Sequence, residues 1–376
     1  MIFANENVTP DAIDYIRYPS LGALWEQLDL QCRPENGCDV IAIPHNTNMG
    51  DGIFFDVETE TDRARQWRSH YERLVEIHQE KGNSECLPAF GADGEGDCDF
   101  ELYLTKNSRP KTKADYSKEE WEKMRRTHVR GLLLRGLEAY QASEDEHLNP
   151  LQLGIIGSTD GHAGAPGFVN EDQWQGSVFG LGEFEHMMTR VNWNPGGLVA
   201  VWAEENTRES IFAALKRREV YGTSGPRITV QFFASTGEAT LSCEEADTRK
   251  NAETTMGGSF SSTANGPQFL VMALNDKAPL DKVEIIKGEW KGGVLKETRM
   301  EIWSRQTEGK SVCQTWRDPD FDASAPAFWY PRILQAPTPR WSTVQCVKER
   351  RCEEYPEAVG IIQERAWGSP IWHLPE

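Results

Sequence analysis

The chain has no apolar run near the roughly 18 to 20 residues that a membrane helix requires, no excess of basic residues, and no close Cys-x-x-Cys pair. Each absence closes off a class. Without the apolar run, no membrane span is expected. With 40 basic residues against 59 acidic ones and a formal net charge of −19, nucleic acid and anionic membrane surfaces are repelled. Without cysteines at zinc-ribbon spacing, a structural zinc site is not expected. The opening residues, Met1-Ile-Phe-Ala-Asn-Glu-Asn, also lack the basic region and apolar core of a secretory leader.

What is there suits a folded protein. At 376 residues, 38% of them hydrophobic and thirteen of them Trp, the chain can bury a substantial core as one large domain plus a smaller one. The Trp are spread along the chain, which favours core packing over a stacking surface for glycans. Eight cysteines are present, and three couples are close in sequence: Cys32 with Cys38, Cys86 with Cys98, and Cys346 with Cys352. Such couples suit disulfides closing small loops in an oxidising compartment; eight reduced cysteines in a cytosolic protein are the alternative. The expected location is periplasmic or secreted if a signal peptide lies upstream, and cytoplasmic otherwise.

Helix and strand signals alternate through the first two thirds of the chain. Apolar positions 21, 24, 25, 28 and 30 predict a helix capped by Ser20, and residues 60 to 74 a second amphipathic helix. Ser117 with Glu120 forms a capping box that opens a long helix over 117 to 142. Asn206-Thr207 caps another, running through Arg218. Between them lie short apolar runs read as buried strands: Asp39 to Ile43, Leu74 to His78, Leu153 to Ile156, and Gly197 to Trp202. Four alternations favour a parallel α/β core. Past residue 228 the pattern changes to alternating runs such as 228 to 233, 268 to 274 and 282 to 287, typical of antiparallel strands. The predicted organisation is therefore an α/β portion over 1–227, an antiparallel β domain over 228–315, and a Pro- and Trp-rich tail over 316–376 that packs back on the first portion.

Candidate site residues cluster where predicted strands end, the usual place for chemistry in parallel α/β folds. His45 follows one strand. Glu76 lies in the next, with Lys81 and Glu85 just beyond it. Asp160-Gly-His162 follows a third. In extended backbone, residues two apart point the same way, so Asp160 and His162 can offer an oxygen and a nitrogen to one cation; a chance pair on a solvated loop fits the same residues. Lys81 can hold an oxyanion, and Glu76 or Glu85 can act as ligand or base. Arg227, after Gly225-Pro226, is an anion-binding candidate or a structural partner of a carboxylate. The alternating carboxylates Asp93, Glu95, Asp97, Asp99 and Glu101 lack EF-hand spacing and read as a solvated loop.

Several of these stretches together resemble a known family: Ile43-Pro-His45-Asn46, Lys81-Gly-Asn-Ser-Glu85, Gly157-Ser-Thr-Asp160-Gly-His162, Tyr221-Gly-Thr-Ser-Gly-Pro-Arg227, Pro339-Arg-Trp-Ser342 and Gln363-Glu-Arg-Ala-Trp-Gly-Ser-Pro-Ile-Trp372. They look like the blocks of domain-of-unknown-function family 3604, which is similar to the polymerase-and-histidinol-phosphatase (PHP) superfamily of metal-dependent phosphoesterases. The resemblance implies a distorted (β/α)7 barrel, here its C-terminal portion. It also implies two or three divalent ions, zinc, manganese or iron, held by His45, Asp160, His162 and Glu76. Lys81, Glu85 and Arg227 would act on a small phosphate ester or related ester. Two departures stand out. The superfamily opens with a His-x-His strand, and no His precedes His45; the chain is expected to begin inside the barrel. Glu80 also stands where relatives carry His. A noncatalytic protein that keeps the fold without a complete metal site is the alternative.

Overall fold

The computed structural model describes residues 1–375 apart from 51–54, 56–59, 92–97, 107–108, 143–146, 179, 238–239, 245–251, 262–265 and 307–308. Asp93, Glu95 and Asp97 of the acidic loop thus lie outside the described residues.

Local chemistry sets the helices. In α1 (Leu21–Gln31) the Ser20 side chain accepts from the Ala23 amide, and in α2 (Asp62–Tyr71) Thr61 accepts from Ala64. The long helix expected over 117 to 142 is two. The Ser117/Glu120 capping box opens α3 (Lys118–Thr127), the chain turns extended at His128, and α4 (Val129–Ala142) begins at once. The break has a partner on each side. The first amides of α4, on Val129 and Arg130, donate to the carbonyls of Ser84 and Glu85 at 2.9 and 3.0 Å, which satisfies donors a helix start leaves open.

Strands β1 (Val40–Ile41), β2 (Leu74–Gln79), β3 (Gly154–Gly157), β4 (Leu198–Val201) and β5 (Val220–Thr223) come from the α/β portion, with α5 (Arg208–Arg217) between the last two. The following β-rich part gives β6 (Thr229–Ser235), β7 (Gln268–Leu274), β8 (Leu280–Lys291), β9 (Val294–Ser304) and β10 (Ser311–Arg317). The tail contributes β11 (Ala327–Gln335), helix α6 (Trp341–Glu349), β12 (Arg365–Gly368) and β13 (Ile371–His373).

These strands do not close a barrel, which corrects the (β/α)7 expectation. The parallel pairing in the α/β portion is β2 with β3; β4 and β5 run antiparallel to each other despite the helix between them. The physical reason lies at the far end of the chain. The edge of β5 that a barrel would hand to its neighbour is taken by β12, with Ala366 opposite Thr223. Tail strands thereby join β4, β5, β8 and β9 in one eight-stranded mixed sheet, while β6, β7 and β10 lie in a separate four-stranded antiparallel sheet.

The result is layered around β11, all nine residues of which are buried. Successive side chains of a strand face opposite sides. Phe328 and Tyr330 accordingly pack with Val75 and Ile77 of β2, Ile155 of β3 and Leu132 and Leu137 of α4. Ala327, Trp329 and Ile333 pack with Val230 and Phe232 of β6 and Val271 of β7. β3 approaches β4 and β5 closely without a ladder: a Cβ at Gly157 would lie 2.6 Å from the Thr223 carbonyl oxygen and 2.8 Å from that of Leu198, so only glycine fits there.

All four possible disulfides form: Cys32–Cys38, Cys86–Cys98, Cys243–Cys313 and Cys346–Cys352. They point to an extracellular or periplasmic setting. Among the described residues no helix is long and apolar enough to cross a membrane.

Candidate functional site

The parallel ladder of β2 and β3 delivers two loops to one place, each leaving the carboxyl end of its strand. Beyond β2 come Glu80 and Lys81; beyond β3 come Ser158, Asp160 and His162. The Glu80 amide donates to the Thr159 carbonyl at 3.0 Å and the Ser158 amide to the His78 carbonyl at 3.0 Å, which fastens the two loops together. Gly82, at φ +96°, lets the chain turn back immediately after Lys81.

Asp160 is the hub. Its Oδ2 accepts from the Lys81 ammonium and, at 2.9 Å, from Gln79 Nε2, while Oδ1 lies 3.1 Å from His162 Nε2. Burial works against its charge, but Lys81 first and Gln79 next hold the carboxyl below its ordinary range. Gln79 Nε2 also reaches Asn46 Oδ1. Asn46 and Asp160 both adopt left-handed backbone, at φ 56° and 49°, a conformation that Asn and Asp tolerate better than most residues. The Asp160–His162 pair therefore does not form through the extended alternation expected from the sequence. A tight turn brings them together, with the His162 amide donating to the Asp160 carbonyl at 3.1 Å.

Glu80 is the other acid of the cluster. It lies 3.5 Å from Lys81 Nζ, and burial, reinforced by the Asp160 charge and only partly offset by Lys81, pushes its carboxyl up to about 7. Lys81 Nζ also faces the Trp193 ring at 5.5 Å. Glu76, next along, is buried; it accepts from the Ser158 hydroxyl and from the Asn46 amide at 3.3 Å. Burial raises its pKa, with those two hydrogen bonds working against the rise. His45 is exposed and near enough to Glu76 to favour its charge.

The structure thus brings Lys81, Asp160 and His162 together, with Glu76 and His45 beside them. It places Glu85 and Arg227 elsewhere. Glu85 is 0% exposed and sits in the core, taking hydrogen bonds from Arg130 Nη2 at 2.7 Å, Tyr330 at 2.9 Å, Trp367 at 2.8 Å and Arg332 at 3.3 Å. Arg227 is exposed, and its amide donates to Asp276 at 3.0 Å. Gln79 was not among the sequence candidates.

Asp160 and His162 are the two side chains here that offer a cation an oxygen and a nitrogen side by side. An oxygen and a nitrogen 3.1 Å apart are spaced as neighbouring ligands on one ion with bonds of about 2.0–2.2 Å. Two is where the set stops: among the described residues no group of three or more His, Cys, Asp or Glu is arranged to hold a metal. The cation facing Asp160 is Lys81.

A mixed α/β protein with a polar cluster at the ends of two parallel strands is what fold and site together define. The family described as Protein of unknown function (DUF3604) matches residues 1–311 and 298–375, and the chain belongs to it. No curated protein matches the chain.

Proposed function

We propose that this protein is a hydrolase of phosphate esters or related esters that works with a divalent cation, its active site being the cluster around Asp160. The observation that carries the reading is the convergence of Asp160, His162, Lys81 and Glu80 where β2 and β3 end together. Asp160 and His162 would hold the cation, with Glu80, Glu76 and His45 as further donors around them. A bound cation of this kind supplies Lewis acidity and a more acidic water. The chain's own groups supply the rest. Lys81 neutralises charge on a bound anion, Gln79 fixes the Asp160 carboxylate, and Glu80, pushed up to about 7 by burial, can exchange a proton near neutral pH.

A noncatalytic binding role is the second reading. It is favoured by the ligand set stopping at two and by Lys81 already neutralising Asp160. Metal retention separates the two. The full chain is equilibrated with Mn2+, Zn2+ or Fe2+, freed of excess ion and analysed by elemental mass spectrometry. The hydrolase reading expects at least one equivalent retained, lost in Asp160→Asn and His162→Ala. No retained metal, or retention indifferent to both substitutions, supports the noncatalytic reading instead.

A further inference from the structure

A cleft away from the Asp160 cluster is lined by Val169, Glu171, Pro226, Pro339, Val344 and Glu364 and encloses about 220 Å3. That is several times the ~30 Å3 share of one water and gives room for a small organic molecule. Glu364 is 1% exposed. One of its carboxylate oxygens, Oε2, accepts from the Ser224 hydroxyl, whereas Oε1 is buried with no hydrogen-bond partner. Buried acceptors in native proteins are almost always paired, so a lone carboxylate oxygen beside a cleft marks a place for a donor. Glu171, the second acid of the cleft, takes the Trp341 amide.

The charges around this pair leave room for one more cation. Glu101, Glu171 and Glu364 face the guanidinium groups of Arg340 and Arg365, one carboxyl in excess, and Arg340 is committed to Glu101 by hydrogen bonds of 2.7 and 2.6 Å. At the rim, Lys277 lies 3.9 Å from Asp172 and Asp276 takes the Arg227 amide. Burial, then the neighbouring Glu101 charge, pushes Glu171 up to about 8, and burial with the Glu171 charge raises Glu364 well above the carboxylate range. Both therefore hold protons at neutral pH while no ligand is bound, and a cation that pairs with them displaces those protons.

We propose that this cleft binds a small organic cation, an alkylammonium or guanidinium group that donates to Glu364 Oε1 and pairs with Glu171 while its carbon chain rests on Val169, Pro226, Pro339 and Val344. A neutral donor has no charge with which to displace those protons. A bare metal ion gains nothing from apolar walls, and no set of three ligating side chains is arranged for one among the described residues. The site stands independently of the Asp160 cluster.

The test is calorimetric titration of the full chain at neutral pH with butylammonium chloride and with agmatine, against 1-butanol, sodium butyrate and calcium chloride as controls. One saturable site per chain is expected for the two cations, weakened at least tenfold in Glu364→Gln, with no binding of the neutral or anionic controls. Glu171→Gln carries the same comparison should Glu364→Gln fail to show a cooperative melt. No saturable binding of either organic cation, equal binding of 1-butanol, preference for calcium, or full affinity in the folded variants would overturn the proposal. Asp160→Asn should leave this binding unchanged, so failure here and failure of the hydrolase reading are distinguishable.

Discussion

The ammonium of Lys81 rests on the carboxylate of Asp160, 79 positions away in the chain, because the parallel register of β2 and β3 ends both strands at one level. The side chains are only 13% and 19% exposed, so water does little to replace the contact. Lys81→Met is expected to cost about 1–3 kcal/mol at neutral pH, the range for leaving a buried acceptor without its donor. Asp160 has a lowered folded pKa, so its share of stability is present above the unfolded value of about 3.9 and is lost as pH falls below it. Urea unfolding of both proteins at pH 7 and pH 3 checks this. The gap between them should shrink at the lower pH; a gap independent of pH contradicts the assignment.

Glu85 gives a larger effect of a different kind. Burial opposes its charge, but Arg130, Arg332 and Arg365 more than compensate and hold the carboxyl far below its ordinary range. Glu85→Gln removes the anion and leaves guanidinium groups buried beside it. A loss of about 3–5 kcal/mol is expected, as for breaking other buried ion pairs. Chemical denaturation measures it, and a cost below about 1 kcal/mol would show that the network relaxes around the change.

The disulfides should differ in worth by the loops they close. Cys243–Cys313 spans 70 residues and Cys32–Cys38 only 6. Chain-entropy reasoning gives about 4 kcal/mol for the first and about 2 for the second. Paired Cys→Ser variants compared by thermal unfolding should rank in that order; the reverse order would place the stabilisation in native contacts.

Glu171 and the buried histidines pull stability in opposite directions with pH. Glu171 rises to about 8 in the folded chain, so the stability it contributes is complete below the ordinary value near 4.5 and is lost as pH climbs through 8. Wild type should therefore lose stability relative to Glu171→Gln between pH 5 and pH 9. Burial lowers His78 to about 3 and His128 to about 4. Their contribution is present above the unfolded value of about 6.5 and fades as pH falls toward those folded values. Unfolding free energies across that range, with His128→Gln as reference, read the second effect. A pH-independent difference in either comparison contradicts its cause.

What the sequence discloses is largely local. Ser20, Ser117 and Asn206-Thr207 announce helix starts because a cap needs only its next few residues, and the period-two runs past 228 announce antiparallel strands for the same reason. The barrel expectation failed on a long-range choice: β5 pairs with β12 from the tail, and nothing near Thr223 records that Ala366 will lie opposite. The site followed the same rule. Asp160, His162 and Lys81 stand out by their places after apolar runs, and Cys32–Cys38 by its spacing. Glu85 shares that placement yet turns into the core, because its partners Arg130, Arg332 and Trp367 arrive from elements distant in sequence. The Cys243–Cys313 bridge and the Glu171–Glu364 cleft were invisible for the same reason.

The most direct test of the central claim is turnover of p-nitrophenyl phosphate and bis-p-nitrophenyl phosphate by the full chain supplied with Mn2+, Zn2+ or Fe2+. The account predicts metal-stimulated hydrolysis that falls at least a hundredfold in Asp160→Asn and at least tenfold in Lys81→Met, with both variants still folded. Absence of hydrolysis with every ion and both esters, or turnover untouched by Asp160→Asn, would contradict it.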